Sequence, residues 1–324
     1  MDPPSAPAVT VIIPTYRRPQ YLGIALESAL GQDFTDFEII VTDNGREEAV
    51  RDLVMSYGDS RCRYRSNETN LGMLGNFRKA GQEARGRYVA LLCDDDAWEP
   101  ELLSSLVPPL DANQAMNVAF TDHYIMNGEG QILEEEGLRI SNEFGRTGLA
   151  AGEHRPFLSL MVNQTISLGL GSVFRRSAMD WSELVDEAGT AFDLWLTYLL
   201  ARDGGGAWYV PQRLTRYRVH EQAATVSGNG NEEGGVFCWE SFLKDGRLEP
   251  YRGTIQTHLA RHLEAIARRE LLNGHPTRCR EVALKALRTR IGKRSLALLT
   301  MSFLPMAVTR LWKHHRTRNT RAEK

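Results

Sequence analysis

The chain has 324 residues, 42% hydrophobic and 25% charged, with a formal net charge of −2. That is ordinary globular composition, and a chain this long buries about three quarters of its unfolded surface, so it needs no disulfide or metal staple. The four cysteines, Cys62, Cys93, Cys238 and Cys279, lack a CxxC pair or metal-ligand spacing, and the opening MDPPSAPAVT lacks a basic start and an apolar core; both point to a reduced, cytoplasmic protein.

The elements alternate along the first 120 residues. VTVIIP (9–14) reads as a buried strand, PQYLGIALESALGQ (19–32) as a helix with Pro19 at its first position, and FEIIVTD (37–43) as a second strand. REEAVRDLVMSYG (46–58) is a helix, RCRYR (61–65) a weaker strand, LGNFRKAGQEA (74–84) a helix. RYVALLC (87–93) and NVAFTDHYI (117–125) are further strands. Such alternation implies a mostly parallel sheet covered on both faces, with ligands bound beyond the carboxyl ends of its strands.

From 126 to 180 the pattern loosens. MNGEGQ (126–131) is a turn, RPFLSLMV (155–162) a short helix and SLGLGSVFRR (167–176) a Gly-rich strand. TAFDLWLTYLLARDGGG (190–206) is an apolar helix; AWYVP (207–211) and RLTRYRVH (213–220) are strands. SGNGNEEGG (227–235) reads as a flexible boundary loop, and 249–290 as two amphipathic helices broken at NGHP. The expected division is a domain over 1–230, with a nucleotide-binding half at 8–120 and an acceptor-side half at 121–230, then a basic helical extension over 231–324.

Charge is unevenly shared. Residues 251–324 hold 17 Lys+Arg and 4 Asp+Glu, so +13 stands against −15 for the rest. The segment 292–318 has an apolar stretch of 13 residues, Leu296 to Val308, between basic flanks. It is shorter than the roughly 20 residues needed to cross a bilayer. It suits a helix lying peripherally on anionic lipid at the inner face of the membrane, self-association, or packing on the body. No aromatic-interleaved basic motif supports nucleic-acid binding.

Three strand ends are polar: Pro14-Thr15-Tyr16-Arg17, Asp43-Asn44-Gly45 and Asp94-Asp95-Asp96. Neighbouring carboxylates roughly 6 Å apart cost about 3 kcal/mol per pair at an effective dielectric near 20. A divalent cation resolves that repulsion, Mg²⁺ or Mn²⁺ being the hard ions that use one or two carboxylates together with substrate phosphates. A helix N-cap explains one of the three acids but not all of them.

The ordered series VTVIIPTYRR, FEIIVTDNG, NETNLGMLGNF and YVALLCDDDAW resembles a family 2 glycosyltransferase of the GT-A fold, over roughly residues 8–228. The resemblance implies a Rossmann-like, mostly parallel sheet flanked by helices, here with a C-terminal helical extension. It also implies transfer of a sugar, with inversion, from a UDP- or dTDP-type donor, using Mg²⁺ or Mn²⁺. By the same resemblance, Thr15 and Tyr16 belong to the nucleoside turn and Asp43 accepts from the base imide. Asn70, Gly72 and Asn76 lie near the nucleoside. Asp94 serves the ribose or the metal, Asp95 is the foremost metal ligand, and Asp96 supports it. His220, in YRVHEQ, lies near the diphosphate and metal, with Arg216 and Arg218 on its face if the strand is regular.

The family's base position falls at Ala191, so the role passes to Asp193, with Asp122 as a distant reserve. Cys93 stands where many relatives carry an acid, and is read as a small buried residue. The acceptor is left open between a glycan, a lipid-linked intermediate and a small natural product. Two other classes compete. A sugar-phosphate nucleotidyltransferase would want a Gly-rich loop after the first strand, which PTYRRP lacks. A sugar-nucleotide-binding relative without activity is suggested by Cys93 and Ala191. No GxGxxG follows the first strand, which disfavours a dinucleotide enzyme.

Overall fold

A computed structural model describes residues 6–220 and 231–304. Two compact units divide the chain, 1–229 and 230–324. In the first, β1 (Val9–Thr15), α1 (Pro19–Leu30), β2 (Phe37–Asp43), α2 (Glu48–Ser56), β3 (Cys62–Ser66), α3 (Gly72–Glu83) and β4 (Tyr88–Leu92) follow the expected alternation. Then come β5 (Ala97–Trp98), α4 (Leu102–Ala112), β6 (Met116–Met126), α5 (Glu134–Glu143), β7 (Gly152–His154), α6 (Leu158–Val162), β8 (Leu170–Arg175), α7 (Phe192–Ala201) and β9 (Gly206–Arg218).

The nine strands form one sheet in the order β3-β2-β1-β4-β8-β6-β9-β5, with β7 on β9. The β3-β2-β1-β4 half is parallel, as the βα alternation requires. Beyond it the sheet is mixed: β8 runs antiparallel between β4 and β6, whereas β6 and β9 pair in parallel. The central strands are covered on both faces, so they read as continuous apolar runs; Val9, Val11, Ile12 and Ile13 are all fully buried.

Several boundaries differ from those read in the sequence. AWYVP and RLTRYR are one strand, β9, because the intervening Pro211-Gln212 stays inside the ladder with a register shift rather than ending it. The apolar helix starts at Phe192, after a 3-10 segment Asp186–Ala191 that turns at Gly189. Helix α5 lies where only loosened pattern was read. Three glutamates in its first turn favour the helix start by their interaction with its dipole. Gly171, in β8, has φ +86, and a Cβ there would meet Thr215 Oγ1 at 2.2 Å and Thr121 Oγ1 at 2.9 Å. This glycine of the Gly-rich strand therefore serves close packing of β8 against β9 and β6.

The second unit contains α8 (Asn231–Phe242), α9 (Arg252–Leu272), α10 (Pro276–Thr289) and α11 (Lys293–Met301). Residues 231–235, read as loop, belong to α8. In the basic segment, α11 is a packed helix: Leu298 is buried, and Ser295 Oγ donates to Glu264 of α9 at 2.5 Å. The remainder, 305–318, lies outside the described residues. Among the described residues no helix is long and apolar enough to cross a membrane.

Candidate active site

The acid run leaves β4 at the carboxyl edge of the parallel half. Directly after Asp96 the chain enters β5, which pairs antiparallel with β9 through Ala97↔Arg216. That pairing carries the far end of β9 back to the acids. Arg218 donates its backbone N–H to Asp96 Oδ1 at 2.9 Å and its Nε–H to the Asp95 carbonyl at 2.8 Å. His220 Nε2 stands 3.0 Å from Asp95 Oδ2. Arg216 turns elsewhere, with Nε and Nη2 on Glu99 at 2.6 and 3.0 Å.

Arg18, which the sequence reading did not single out, is the other cation here. Its Nη1 lies 2.9 Å from Asp95 Oδ2 and 3.6 Å from Asp94 Oδ1. The turn that delivers it bends at Arg17, with φ 59. The repulsion expected among three acids is thus already reduced by Arg18, Arg218 and the His220 imidazole. Thr15 Oγ1 donates to Asp94 Oδ2 at 2.7 Å. Burial, then the neighbouring Asp95 carboxylate, raises Asp94 to about 7. Burial, followed by Asp95, also pushes Asp96 well above the usual carboxylate range.

One feature stays uncompensated. Asp96 is 1% exposed and, among the described residues, its buried Oδ2 has no hydrogen-bond partner. A buried carboxylate oxygen without a donor is costly, and a cation is the partner that satisfies it. Cys93 Sγ and one oxygen each of Asp95 and Asp96 lie within 4.8 Å of one another. The residues present therefore fit a divalent ion. The set departs from the all-oxygen expectation in bringing the Cys93 sulfur to its edge.

The other nucleoside-side candidates sit along the same edge in two states. Tyr16 is 43% exposed, with the Arg17 guanidinium 5.1 Å from its ring centroid. Asp43 pairs with Thr15 in the β1–β2 ladder but is buried and already bonded: Oδ1 accepts from Gly45 N at 2.6 Å, and Oδ2 from Glu47 N at 3.0 Å and Tyr64 Oη at 2.9 Å. Of its roughly four acceptor sites, about one is left for a ligand. Asn70 Oδ1 accepts from Gly72 N at 2.8 Å, an Asx turn that starts α3, and Gly72 has φ +69. Asn76 is buried, and its amide joins β2 to α3 through Thr42 and Asn67.

Asp193 lies at the first turn of α7, in the wall of a cavity of about 280 Å³. The cavity lies on the other side of β9's end. Tyr217 and Val219 face it, while Arg218 and His220, one residue out of phase, face the acids. Helix α5 and its C-cap residue close it with Glu136, Ile140 and Phe144, spaced by four on one face. Burial raises the Asp193 carboxyl above its ordinary value. Asp193 Oδ1 accepts from Leu194 N at 2.8 Å. Ala191 has no group that can take a proton. Asp122 is bound inside the protein: Ser141 Oγ and Arg146 Nε donate to it at 2.6 and 2.7 Å, and Arg213 Nε lies at 3.4 Å. Burial would raise its pKa, but these donors hold it below the ordinary value.

The family model for glycosyl transferase family 2 matches residues 10–180, more than half of the chain. The chain belongs to glycosyl transferase family 2. It is a glycosyltransferase. Among relatives, an uncharacterized glycosyltransferase of Methanocaldococcus jannaschii is 34% identical over 133 residues, 40% of this chain and 46% of the relative, so the chain spans less than half of that protein. A GalNAc(5)-diNAcBac-PP-undecaprenol beta-1,3-glucosyltransferase of Campylobacter jejuni is 26% identical over 313 residues, 92% of this chain and 94% of the relative.

Among solved structures, S. aureus TarS 1-349 in complex with UDP-GlcNAc is similar at a TM-score of 0.65 and 17% identity, covering 90% of this chain and 83% of the TarS 1-349 chain. The mannosyltransferase PcManGT of Pyrobaculum calidifontis, with GDP-Man and Mn²⁺, is similar at 0.53 and 16%, covering 96% and 89%. At these identities the likeness is one of fold, and it bears out the GT-A architecture.

Proposed function

We propose that this family 2 enzyme transfers a sugar from a UDP- or dTDP-type donor to an acceptor hydroxyl with inversion, with Asp193 as the base. The observation that carries the reading is the placement of the Asp193 carboxylate in a cavity wall one strand away from the acid run. A donor held at the acids and an acceptor held in the cavity would meet across the end of β9. The acceptor oxygen forms the new bond to the anomeric carbon as the bond to the diphosphate oxygen breaks, and its proton passes to Asp193. The raised Asp193 pKa favours that step, because a stronger base takes the proton more readily.

Asp95 and Asp96 would hold a divalent ion, with Asp94 and His220 beside them. When bound, the ion supplies positive charge to the departing nucleoside diphosphate. Arg18 lies close enough to the acids to bind phosphate oxygens once Asp95 is released. Tyr16 offers an open face for base stacking, and Asp43 keeps one acceptor site for an imide N–H. The UDP-GlcNAc bound to TarS supports a uridine-type donor, and the GDP-Man and Mn²⁺ bound to PcManGT support use of a metal. The Campylobacter relative's name keeps a lipid-linked glycan among the acceptor classes.

A thermal-shift screen of UDP-, dTDP- and GDP-sugars, each with Mn²⁺ and with chelator, tests the donor and metal together. Stabilisation by a UDP- or dTDP-sugar that needs Mn²⁺ is expected. Equal response to all bases, or no effect of the metal, would refute that part. The inactive-relative reading predicts binding without turnover, so release of nucleoside diphosphate from the stabilising donor separates the two.

A further inference from the structure

The Asp193 cavity is poor in unengaged polar groups. Half of its lining residues are apolar, Ile140, Phe144, Met161 and Leu170 among them. Among its polar lining residues, Glu136, Thr197 and Arg146 are bonded inside the protein. Glu136 is held by Arg139 at 2.6 and 2.9 Å. Thr197 Oγ1 donates back to the Asp193 carbonyl at 2.7 Å. Arg146 is bonded to Asp122 and to the Thr165 carbonyl; of its guanidinium nitrogens only the buried Nη2 lacks a partner among the described residues.

A hexose ring buried here would leave most of its hydroxyls unsatisfied, at roughly 1–3 kcal/mol each. An apolar ring loses nothing by the same burial and gains about 25 cal/mol per Å² removed from water. The volume is also suited: a cavity near 150 Å³ holds a benzene ring, and this one is about 280 Å³.

We infer that the acceptor is a hydroxyl-bearing apolar ring, aromatic or deoxygenated, whose ring sits in this cavity with its hydroxyl toward Asp193. This rests on the functional reading above, and it narrows the acceptor to compounds that carry few hydroxyls besides the accepting one. Val219, 40% exposed, forms the rim, and Ile140 the α5 wall.

The test uses the full chain and ligand-observed NMR with three probes: 2-naphthol, a methyl 2,6-dideoxyhexoside and methyl glucoside. One of the first two binds at least about tenfold more tightly than methyl glucoside, and which one does so separates an aromatic from a deoxy-sugar acceptor. Val219→Glu and Ile140→Asn each weaken that binding about fivefold or more, on the scale of burying a charged or amide group against an apolar ligand. Leu138→Gln, on the exposed face of α5, leaves it unchanged. Preferential binding of methyl glucoside, binding of none of the three, or indifference to both cavity variants overturns the inference. Stabilisation by UDP and Mn²⁺ is read in the same samples; its absence would mark a failure of the donor reading instead.

Discussion

Replacing Asp193 by Asn keeps the shape of the side chain and removes its capacity to accept a proton. Transfer should fall by about 10²–10⁴-fold, the usual contribution of a general base. Donor affinity should stay within about twofold, since among the described residues the Asp193 carboxylate bonds to Leu194 N rather than to a donor-side candidate. Turnover near the parent level would end the assignment. At the acid run the roles divide differently. Asp95 faces Arg18 and His220, whereas Asp96 carries the buried orphan oxygen. Asp95→Asn should lower activity more than Asp96→Asn. With chelator present, Asp96→Asn should melt no lower than the parent, because it removes a buried carboxylate whose charge is poorly matched. The same variant should lose the stabilisation that Mn²⁺ gives the parent; if it keeps that stabilisation in full, Asp96 is not a ligand.

At the scale of elements, β8 and β9 decide the site. Gly171→Ala puts a Cβ into a left-handed backbone conformation and against Thr215 and Thr121. The conformation costs about 1–2 kcal/mol and the overpacking a further 1–3. Urea unfolding should therefore show a loss of about 2–5 kcal/mol, and a loss under about 0.5 kcal/mol would mean that the strands part without penalty. Much of the element reading was local and therefore legible: β1, β2 and β4 are continuous apolar runs, and α1 carries its proline and its spacing by four. Helix α5 could have been found from Glu134, Glu135 and Glu136 at its start, but its hydrophobic face is short and points into the cavity, so periodicity alone was weak. Arg18 was invisible for another reason: nothing near Tyr16-Arg17 in sequence says that its guanidinium crosses to Asp95, 77 residues on.

For the molecule as a whole, pH tests the buried network behind the cavity. Burial first, then the Arg146 charge and more weakly Arg213, lowers His123 from 6.5 to about 4, against the opposing pull of Asp122. The folded state thus binds its proton at lower pH than the unfolded chain. The stability from a neutral His123 is complete above about 6.5 and is lost as pH falls toward 4, by up to about 3 kcal/mol. Urea unfolding across that range should show the decline, and His123→Asn should flatten it. An unchanged slope in the variant would show that His123 is not the group responsible.

The sequence by itself determined the alternation of strands and helices, the polar strand ends, the family resemblance and the acid run, because each is written in neighbouring residues. Only the tertiary structure decided which of those residues remain available. Asn76 and most of Asp43 are taken up by hydrogen bonds within the protein, Arg216 is drawn to Glu99, and Arg218 and His220 reach the acids. The antiparallel pairing of β5 with β9 brings positions more than a hundred residues apart into contact, and the period-2 alternation of β9 then divides its end between an acid side and a cavity side. Neither pairing partner nor register is encoded locally, which is why the cavity that holds Asp193 came from the fold.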